Sequence, residues 1–160
     1  MVKRRKAVRA LIVSEPDDSV LLLRMRRPDG NGDFWLLPGG GVKPNEGRLD
    51  ALLREVWEET GLTVSSTPRL IWQRTHRFGR SGGCIEQHED IYLVVAPRFE
   101  PTSAHNPEQS EVGIFREFRW WSAAALEGAG NDVFAPRSLP RLVAGIFAKG
   151  PPPYPISLHD

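Results

Sequence analysis

Residues 49–62 constrain the fold more than any other stretch, because their apolar side chains follow a helical period. Leucine, valine and tryptophan recur at positions 49, 52, 53, 56 and 57, which is the spacing of a stripe along one face of an α-helix. Gly61 stands where a glycine ends such a helix in a left-handed turn. The pattern predicts an amphipathic helix that stops at Gly61.

Three glutamates, Glu55, Glu58 and Glu59, lie on the other side of this predicted helix. At about 100° of rotation per residue they fall within an arc of about 100°. Like charges at this spacing repel, at a cost of a few tenths of a kcal/mol in an exposed helix. A divalent cation between the carboxylates would offset the repulsion, whereas a solvated acidic surface is the simpler and more common explanation.

A run of three glycines, Gly39, Gly40 and Gly41, precedes the predicted helix. Successive backbone N–H groups in a glycine-rich loop can bind phosphate oxygens. The glycines follow an apolar segment at residues 34–38 and lead through Glu46 into the acidic helix. This order favours a site at which backbone amides bind phosphate and carboxylates bind a metal ion.

The same residues resemble the Nudix box, the sequence motif of the Nudix hydrolase family. The positions that match it in type and spacing are Gly40, Glu46, Arg54, Glu55, Val56, Glu58, Glu59, Gly61 and Leu62. The resemblance implies an α/β fold, a Nudix-type α/β/α sandwich with a central mixed β-sheet. It also implies a divalent-metal-dependent hydrolase that cleaves the diphosphate linkage of a nucleoside diphosphate joined to another moiety. Nucleoside triphosphates, nucleotide sugars and dinucleoside polyphosphates are substrates of this kind.

By this resemblance Glu55, Glu58 and Glu59 are the metal ligands. Mg²⁺ or Mn²⁺ is the expected ion, because hard cations prefer oxygen ligands. Glu58 and Glu59 are also the expected catalytic residues, with Arg54 orienting the carboxylates. The base that activates water stays open, since family members take it either from the box or from a distant loop.

Four further residues receive roles: three glutamates and one glycine. By the resemblance, Glu46 anchors the backbone amides of the loop and Gly61 has a structural role in the motif. Glu111 is the preferred distant carboxylate, as a further metal ligand and catalytic residue, and Glu89 is the second choice. A solvated loop glutamate remains the alternative for both distant positions.

Substrate binding is assigned to Gly39–Gly41 and to side chains on the predicted strands. Arg24 and Arg26 alternate along one strand and so share a face from which a guanidinium can bind phosphate. Trp72 is a candidate for stacking on a nucleobase, although aromatic residues in strands more often pack in the core.

Other segments predict a strand-rich single domain. Runs at 7–13, 19–25, 34–38, 69–78, 89–97 and 115–122 predict strands, and residues 138–150 predict a second helix. A chain of 160 residues is large enough for one core and short for two. We therefore expect one domain over residues 1–160, with a basic tail at 1–6 and a proline-rich tail at 151–160.

Composition narrows the expected partners. The formal charge of +1 gives no global field for nucleic acid, and no apolar run is long enough to span a membrane. The single cysteine, Cys84, excludes an internal disulfide and favours the cytoplasm. The expected partner is a nucleotide-type small molecule, and a homodimer stays open.

Other classes fit the sequence less well. The glycines are not followed by the Gly-Lys-Ser/Thr of a P-loop or by a dinucleotide-binding fingerprint. The four histidines are scattered without zinc-site spacing. The remaining alternative is a non-catalytic nucleotide-sensing or protein-binding domain on the same fold. Such domains tend to have lost box carboxylates, and this chain retains them.

Overall fold

The structure is a computed structural model that describes residues 2–27, 29–80, 82–107 and 114–159. Its strands are β1 (Val2–Glu15), β2 (Ser19–Arg26), β3 (Asp33–Leu36), β4 (Gly39–Gly41), β5 (Arg69–Arg80), β6 (Gly83–Pro97), β7 (Phe115–Ser122), β8 (Phe134–Ala135) and β9 (Ile156–Leu158). Its helices are α1 (Arg48–Thr60), α2 (Ala123–Glu127) and α3 (Leu139–Lys149). None of the helices in these ranges is long and apolar enough to cross a membrane.

The strands of the described ranges form one mixed sheet in the order β8-β3-β2-β1-β6-β5-β9, with β4 added beside β1 and β7 beside β2. β1 and β6 run parallel along their whole length, from Val2 beside Cys84 to Glu15 beside Pro97. The β3–β8 and β5–β9 pairs are also parallel, whereas β1–β2 and β5–β6 are antiparallel. The predicted central mixed sheet is confirmed.

The sheet opens between β1 and β2, and this opening positions the site. β2 pairs with β1 only near Val13, after which its edge pairs with β3. β4 takes the remaining edge of β1, where Gly39–Gly41 lie opposite residues 7–9. Met25 and Leu36 line the cleft beside β4.

Apolar side chains pack on both faces of the sheet. On one face Val8 packs with Leu52 of α1, and on the other Leu11 belongs to the core that contains Val143 of α3. The period of two along a strand directs alternate residues of β1 into the two cores. This layering confirms the predicted α/β/α sandwich.

Helix α1 buries a different face from the one that its apolar pattern predicts. Leu52 and Val56 are fully buried, but Leu49, Leu53 and Trp57 are 49%, 40% and 43% exposed. The helix is therefore rotated so that part of its acidic side, rather than all of its apolar side, approaches the sheet. The expectation that the carboxylates lie opposite the packed face was wrong.

The end of α1 is as predicted. Gly61 has φ of 80° and its N–H donates to the carbonyl oxygen of Trp57 at 2.9 Å. A Cβ at Gly61 would stand 2.7 Å from Cγ2 of Thr102. Glycine is required here both by the left-handed backbone and by the neighbouring loop.

Neither terminal segment is the tail that its composition suggested. Residues 2–6 continue β1 and lie beside residues 84–88 of β6, because β6 begins before its apolar run. At the other end Ile156–Leu158 pairs in parallel with residues 72–74 of β5. Strand pairing satisfies backbone groups that a tail would leave to water, and β9 covers an edge of β5.

Candidate functional site

The acidic side of α1 faces the glycine strand β4. The N–H of Gly39 donates a 2.7 Å hydrogen bond to Oε2 of Glu59. A Cβ at Gly40 would stand 2.6 Å from Oε1 of Glu55, so only glycine leaves room for this carboxylate. The backbone of β4 and the glutamates of α1 therefore form one wall of the cleft.

Arg54 ties the carboxylates of this wall together. Its Nε and Nη2 donate to the two oxygens of Glu46 at 2.8 and 2.9 Å. Its Nη1 donates to Glu55 at 2.9 Å and to Glu58 at 3.3 Å, and Nη2 also donates to the carbonyl oxygen of Gly41 at 3.1 Å. One guanidinium thus links the loop, β4 and the acidic helix.

Two carboxyl groups beside Arg54 have pKa values shifted in opposite directions. Hydrogen bonds from Arg54 and from the N–H of Lys43 lower the pKa of Glu46 from 4.5 to about 2. Burial raises the pKa of Glu55, against the hydrogen bond and charge of Arg54, and the nearby charge of Glu58 raises it further. An additional cation near Glu55 would favour its ionised form.

Glu89 is buried among cations on the other face of the sheet. It is 3% exposed and accepts hydrogen bonds from Nε of Arg9 at 3.0 Å, Nη1 of Arg74 at 2.9 Å and Nε2 of Gln87 at 3.0 Å. Burial alone would raise the pKa of Glu89, but the nearby His76, whose Nε2 is 3.8 Å from Oε2 of Glu89, and the charges of Arg9 and Arg74 lower it overall. Both oxygens of this second-choice base are therefore already engaged.

Arg9 connects this buried anion to the glycine strand. Its Nη1 donates to the carbonyl oxygens of Leu37 at 3.1 Å and Gly39 at 3.4 Å. Sequence reasoning assigned no role to Arg9. The signal was its position inside an apolar strand segment, since a charged residue between core neighbours requires a buried partner.

The structure brings the box residues together at one cleft. The cleft has a volume of about 1200 Å³ and is lined by Gly39–Gly41, Arg54 and all four glutamates of the box: Glu46, Glu55, Glu58 and Glu59. Glu111 lies outside the described residues.

The other predicted substrate contacts do not reach this cleft. Trp72 is 2% exposed and packs in the core, so it has no free face for a nucleobase. Arg24 extends from the other face of β2, with Nη2 3.0 Å from Oε2 of Glu117. Met25 lines the cleft, and the alternation of side chains along β2 directs Arg26 to the same face as Arg24.

The glycine run is a strand, not the open cradle of amides that its sequence suggested. It pairs with residues 7–9 of β1, and the N–H of Gly39 is already used by Glu59. A Cβ at Gly39, which has φ of 151°, would collide with the carbonyl oxygen of Val8. The glycines therefore serve close packing of β4 between β1 and α1.

The donor set fits a hard divalent cation, although it is not assembled as a metal site. Three carboxylates, Glu55, Glu58 and Glu59, line one open cleft, and carboxylate oxygens suit Mg²⁺ and Mn²⁺. In the part of the chain that the structure describes, no three Asp, Glu, His or Cys side chains stand close enough to hold an ion. Arg54 and the N–H of Gly39 occupy these carboxylates instead.

A sequence profile of the NUDIX domain matches residues 3–142, and the chain belongs to this family. Human m7GpppN-mRNA hydrolase NUDT17 is 30% identical over 142 residues, which cover 82% of this chain and 43% of that protein. Human diphosphoinositol polyphosphate phosphohydrolase 3-alpha is 33% identical over 124 residues, covering 74% of this chain and 63% of that protein. The chain thus spans less than two thirds of the length of either relative.

Solved structures show the same fold. The MutT protein from Methanosarcina mazei Go1 superposes with a TM-score of 0.65 at 24% identity, covering 92% of this chain and 97% of that chain. The MutT NUDIX hydrolase from Burkholderia pseudomallei gives 0.59 at 25% identity, covering 76% and 85%. The predicted Nudix fold is confirmed.

Proposed function

We propose that this chain is a divalent-metal-dependent hydrolase that cleaves the diphosphate linkage of a nucleoside diphosphate joined to another moiety. The observation that carries the proposal is that Glu55, Glu58 and Glu59 line one open cleft together with the glycine strand. These carboxylates would hold Mg²⁺ or Mn²⁺, which supplies neutralisation of the diphosphate charge and a more acidic water.

The protein's own residues position these groups. Gly40 leaves the space that the carboxylate of Glu55 occupies, and Gly39 fixes Glu59 through its N–H. Glu58 makes the longest of the Arg54 contacts, at 3.3 Å, so we assign it as the carboxylate that is freest to take a proton. As the water oxygen bonds to phosphorus and the bridging P–O bond breaks, this carboxylate accepts the proton of the water.

The names of the relatives widen the range of substrates to test. One is named for m7GpppN-mRNA and another for diphosphoinositol polyphosphates. These molecules share linked phosphates but carry unlike groups. We therefore propose only the linked phosphates as the feature that the substrate of this chain shares with those of its relatives.

A nucleotide-sensing domain without turnover is the second candidate. The NUDIX domain of Shewanella oneidensis NrtR, which shares this fold at 15% identity with a TM-score of 0.63, was solved in complex with ADP-ribose. A domain of this fold can thus present a nucleotide-binding site. The retention of Glu55, Glu58 and Glu59 disfavours this second candidate.

A substrate screen with identified products tests the proposal. Nucleoside triphosphates, nucleotide sugars, dinucleoside polyphosphates, a cap analogue and a diphosphoinositol polyphosphate are each incubated with Mg²⁺ or with EDTA. We expect metal-dependent cleavage between two phosphorus atoms, and the position of the cleaved bond identifies the substrate subclass. Tight nucleotide binding with no turnover of any candidate would instead favour the sensing domain.

A further inference from the structure

The basic residues 3–6 take no part in the proposed chemistry, although the fold places them at its cleft. Pairing of β1 with β6 holds them in an extended strand. All of them line the cleft that contains the box carboxylates. A tail would spread these charges through solvent, whereas the strand fixes them at one rim.

Arg5 is the basic residue that lies against the glycine strand. A Cβ at Gly41 would stand 2.8 Å from Nη2 of Arg5 and 3.1 Å from its Nε. The carbonyl oxygen of Gly41 accepts a hydrogen bond from Arg54. Arg5 also lines an adjoining cavity of about 390 Å³ beside Phe34 and Phe78. Its guanidinium therefore stands between the carboxylate wall and the space next to it.

Other arginines of the cleft are already paired with acids of the sheet. The pairs are Arg4 with Glu86 at 3.5 Å, Arg9 with Glu89 at 3.0 Å and Arg48 with Asp90 at 3.2 Å. Within the ranges that the structure describes, no hydrogen bond or ion pair joins the side chain of Lys3, Arg5 or Lys6 to another residue. These cations are available to a ligand.

The glutamates of the cleft do not balance this charge. When the arginines paired with Glu86, Glu89 and Asp90 are set aside, the described lining keeps four glutamates and five basic side chains: Lys3, Arg5, Lys6, Lys43 and Arg54. Arg54 already binds Glu46, Glu55 and Glu58. A concave surface with surplus positive charge attracts and concentrates anions.

We propose that Arg5, with Lys3 and Lys6, binds phosphate groups of the substrate that lie outside the scissile diphosphate. This inference rests on the proposed hydrolysis and specifies its substrate as a polyphosphorylated molecule. A guanidinium fork binds phosphate through two parallel hydrogen bonds, and lysines add point charges. The extra phosphates are either substituents of a ring or members of a linear chain. Both kinds of molecule present phosphate oxygens to Arg5.

Kinetics with three substrates test the assignment. ADP-ribose has no phosphate beyond its diphosphate, diadenosine hexaphosphate carries extra phosphates in a chain, and a diphosphoinositol pentakisphosphate carries them on a ring. With Mg²⁺, Arg5→Gln should raise KM for the better polyphosphorylated substrate at least about tenfold and change kcat less than about twofold. Turnover of ADP-ribose should change less than about twofold.

A matched control removes a cation elsewhere. Arg141 is exposed on α3, which packs on the opposite face of the sheet from α1. Arg141→Gln should leave KM for every substrate unchanged. An equal rise of KM for ADP-ribose and for the polyphosphorylated substrates in Arg5→Gln would overturn the inference.

Binding without turnover separates this inference from the proposed hydrolysis. Calorimetric titration with inositol hexakisphosphate and with inorganic tripolyphosphate distinguishes ring from chain. At least about tenfold weaker binding of either ligand to Arg5→Gln, or to Lys3→Gln/Lys6→Gln, supports the site even if no substrate is cleaved. Unchanged affinity for both ligands in both folded variants overturns the inference. The inference is also overturned if a short uncapped RNA binds more tightly than these ligands and its binding depends on Arg5.

Discussion

The backbone N–H of Gly39 donates a 2.7 Å hydrogen bond to Oε2 of Glu59. The carbonyl oxygen of the same residue accepts from Nη1 of Arg9 at 3.4 Å, and Arg9 is held in turn by the buried carboxylate of Glu89. Gly39 therefore connects a buried ion pair to a carboxylate of the candidate site. Changes to the ion pair should alter the position of Glu59.

Glu89→Gln should lower the free energy of unfolding by about 2–4 kcal/mol at neutral pH, because it leaves Arg9 and Arg74 without their buried anion. The folded-state pKa of Glu89 lies below its unfolded value of 4.5. Its contribution is thus complete above about pH 5 and is lost as the pH falls through the range between the two values. Urea denaturation at pH 7 and pH 3 should show the difference from wild type shrinking in acid.

The control for this change is Glu117→Gln. Glu117 pairs with Arg24 and Arg119 at 3.0 and 3.1 Å but is 34% exposed, so its loss should cost less than about 1 kcal/mol. Equal losses at positions 89 and 117 would contradict the buried role of Glu89.

Gly40→Ala should separate activity from stability. The added Cβ would stand 2.6 Å from the end of the flexible Glu55 side chain, which can move away at little cost to folding but then leaves the site. We expect kcat/KM to fall at least about tenfold and the melting temperature to change by less than about 4 °C. Gly145→Ala is the control: nothing lies within 4 Å of its Cβ, and in α3 it should stabilise by about 0.5–1 kcal/mol.

Glu58→Gln should lower turnover at least about a hundredfold with the fold intact, since an amide can neither take a proton nor match a carboxylate as a metal ligand. Steady-state kinetics under saturating Mg²⁺ and a circular dichroism spectrum measure the two effects. Glu127→Gln, on the exposed end of α2, provides the comparison. Comparable turnover in both variants would refute the assignment of Glu58.

Arg54→Lys should weaken metal binding although it keeps the charge. A single ammonium group cannot bind both oxygens of Glu46, the Glu55 carboxylate and the Gly41 carbonyl together. We expect Mn²⁺ affinity, measured by the paramagnetic resonance signal of the free ion, to fall about tenfold. Arg98→Lys, which changes an exposed pair with Asp17, should leave affinity unaltered. Unchanged Mn²⁺ affinity in Arg54→Lys would contradict the role of Arg54 in holding the metal-binding carboxylates.

Glu111→Gln tests the distant carboxylate. If Glu111 is a further metal ligand, the calorimetric titration of Mg²⁺ or Mn²⁺ should weaken at least about tenfold. An unchanged isotherm would assign Glu111 to a solvated loop.

The parts of the fold that the sequence predicted well rest on local patterns. The predicted strand at residues 115–122 and the predicted helix that ends at Gly61 match the structure closely. Both predictions rest on local signals, namely the spacing of apolar side chains and a glycine at the helix end. Residues 2–6 were misread because nothing in their own composition shows the partner strand, which lies some eighty residues away. The residue type of Trp72 is compatible both with stacking on a nucleobase and with packing in the core. The structure places it in the core.

By itself the sequence determined which side chains belong to the acidic helix and that carboxylates and glycines would share a site, because residues close in the chain are tied to one element. Only the tertiary structure decided how that helix is rotated, that Gly40 makes room for Glu55, and that Arg9 and Glu89 lie behind Gly39. Those relationships depend on contacts between distant strands, where packing space and buried charge, not local preference, determine which arrangement is stable.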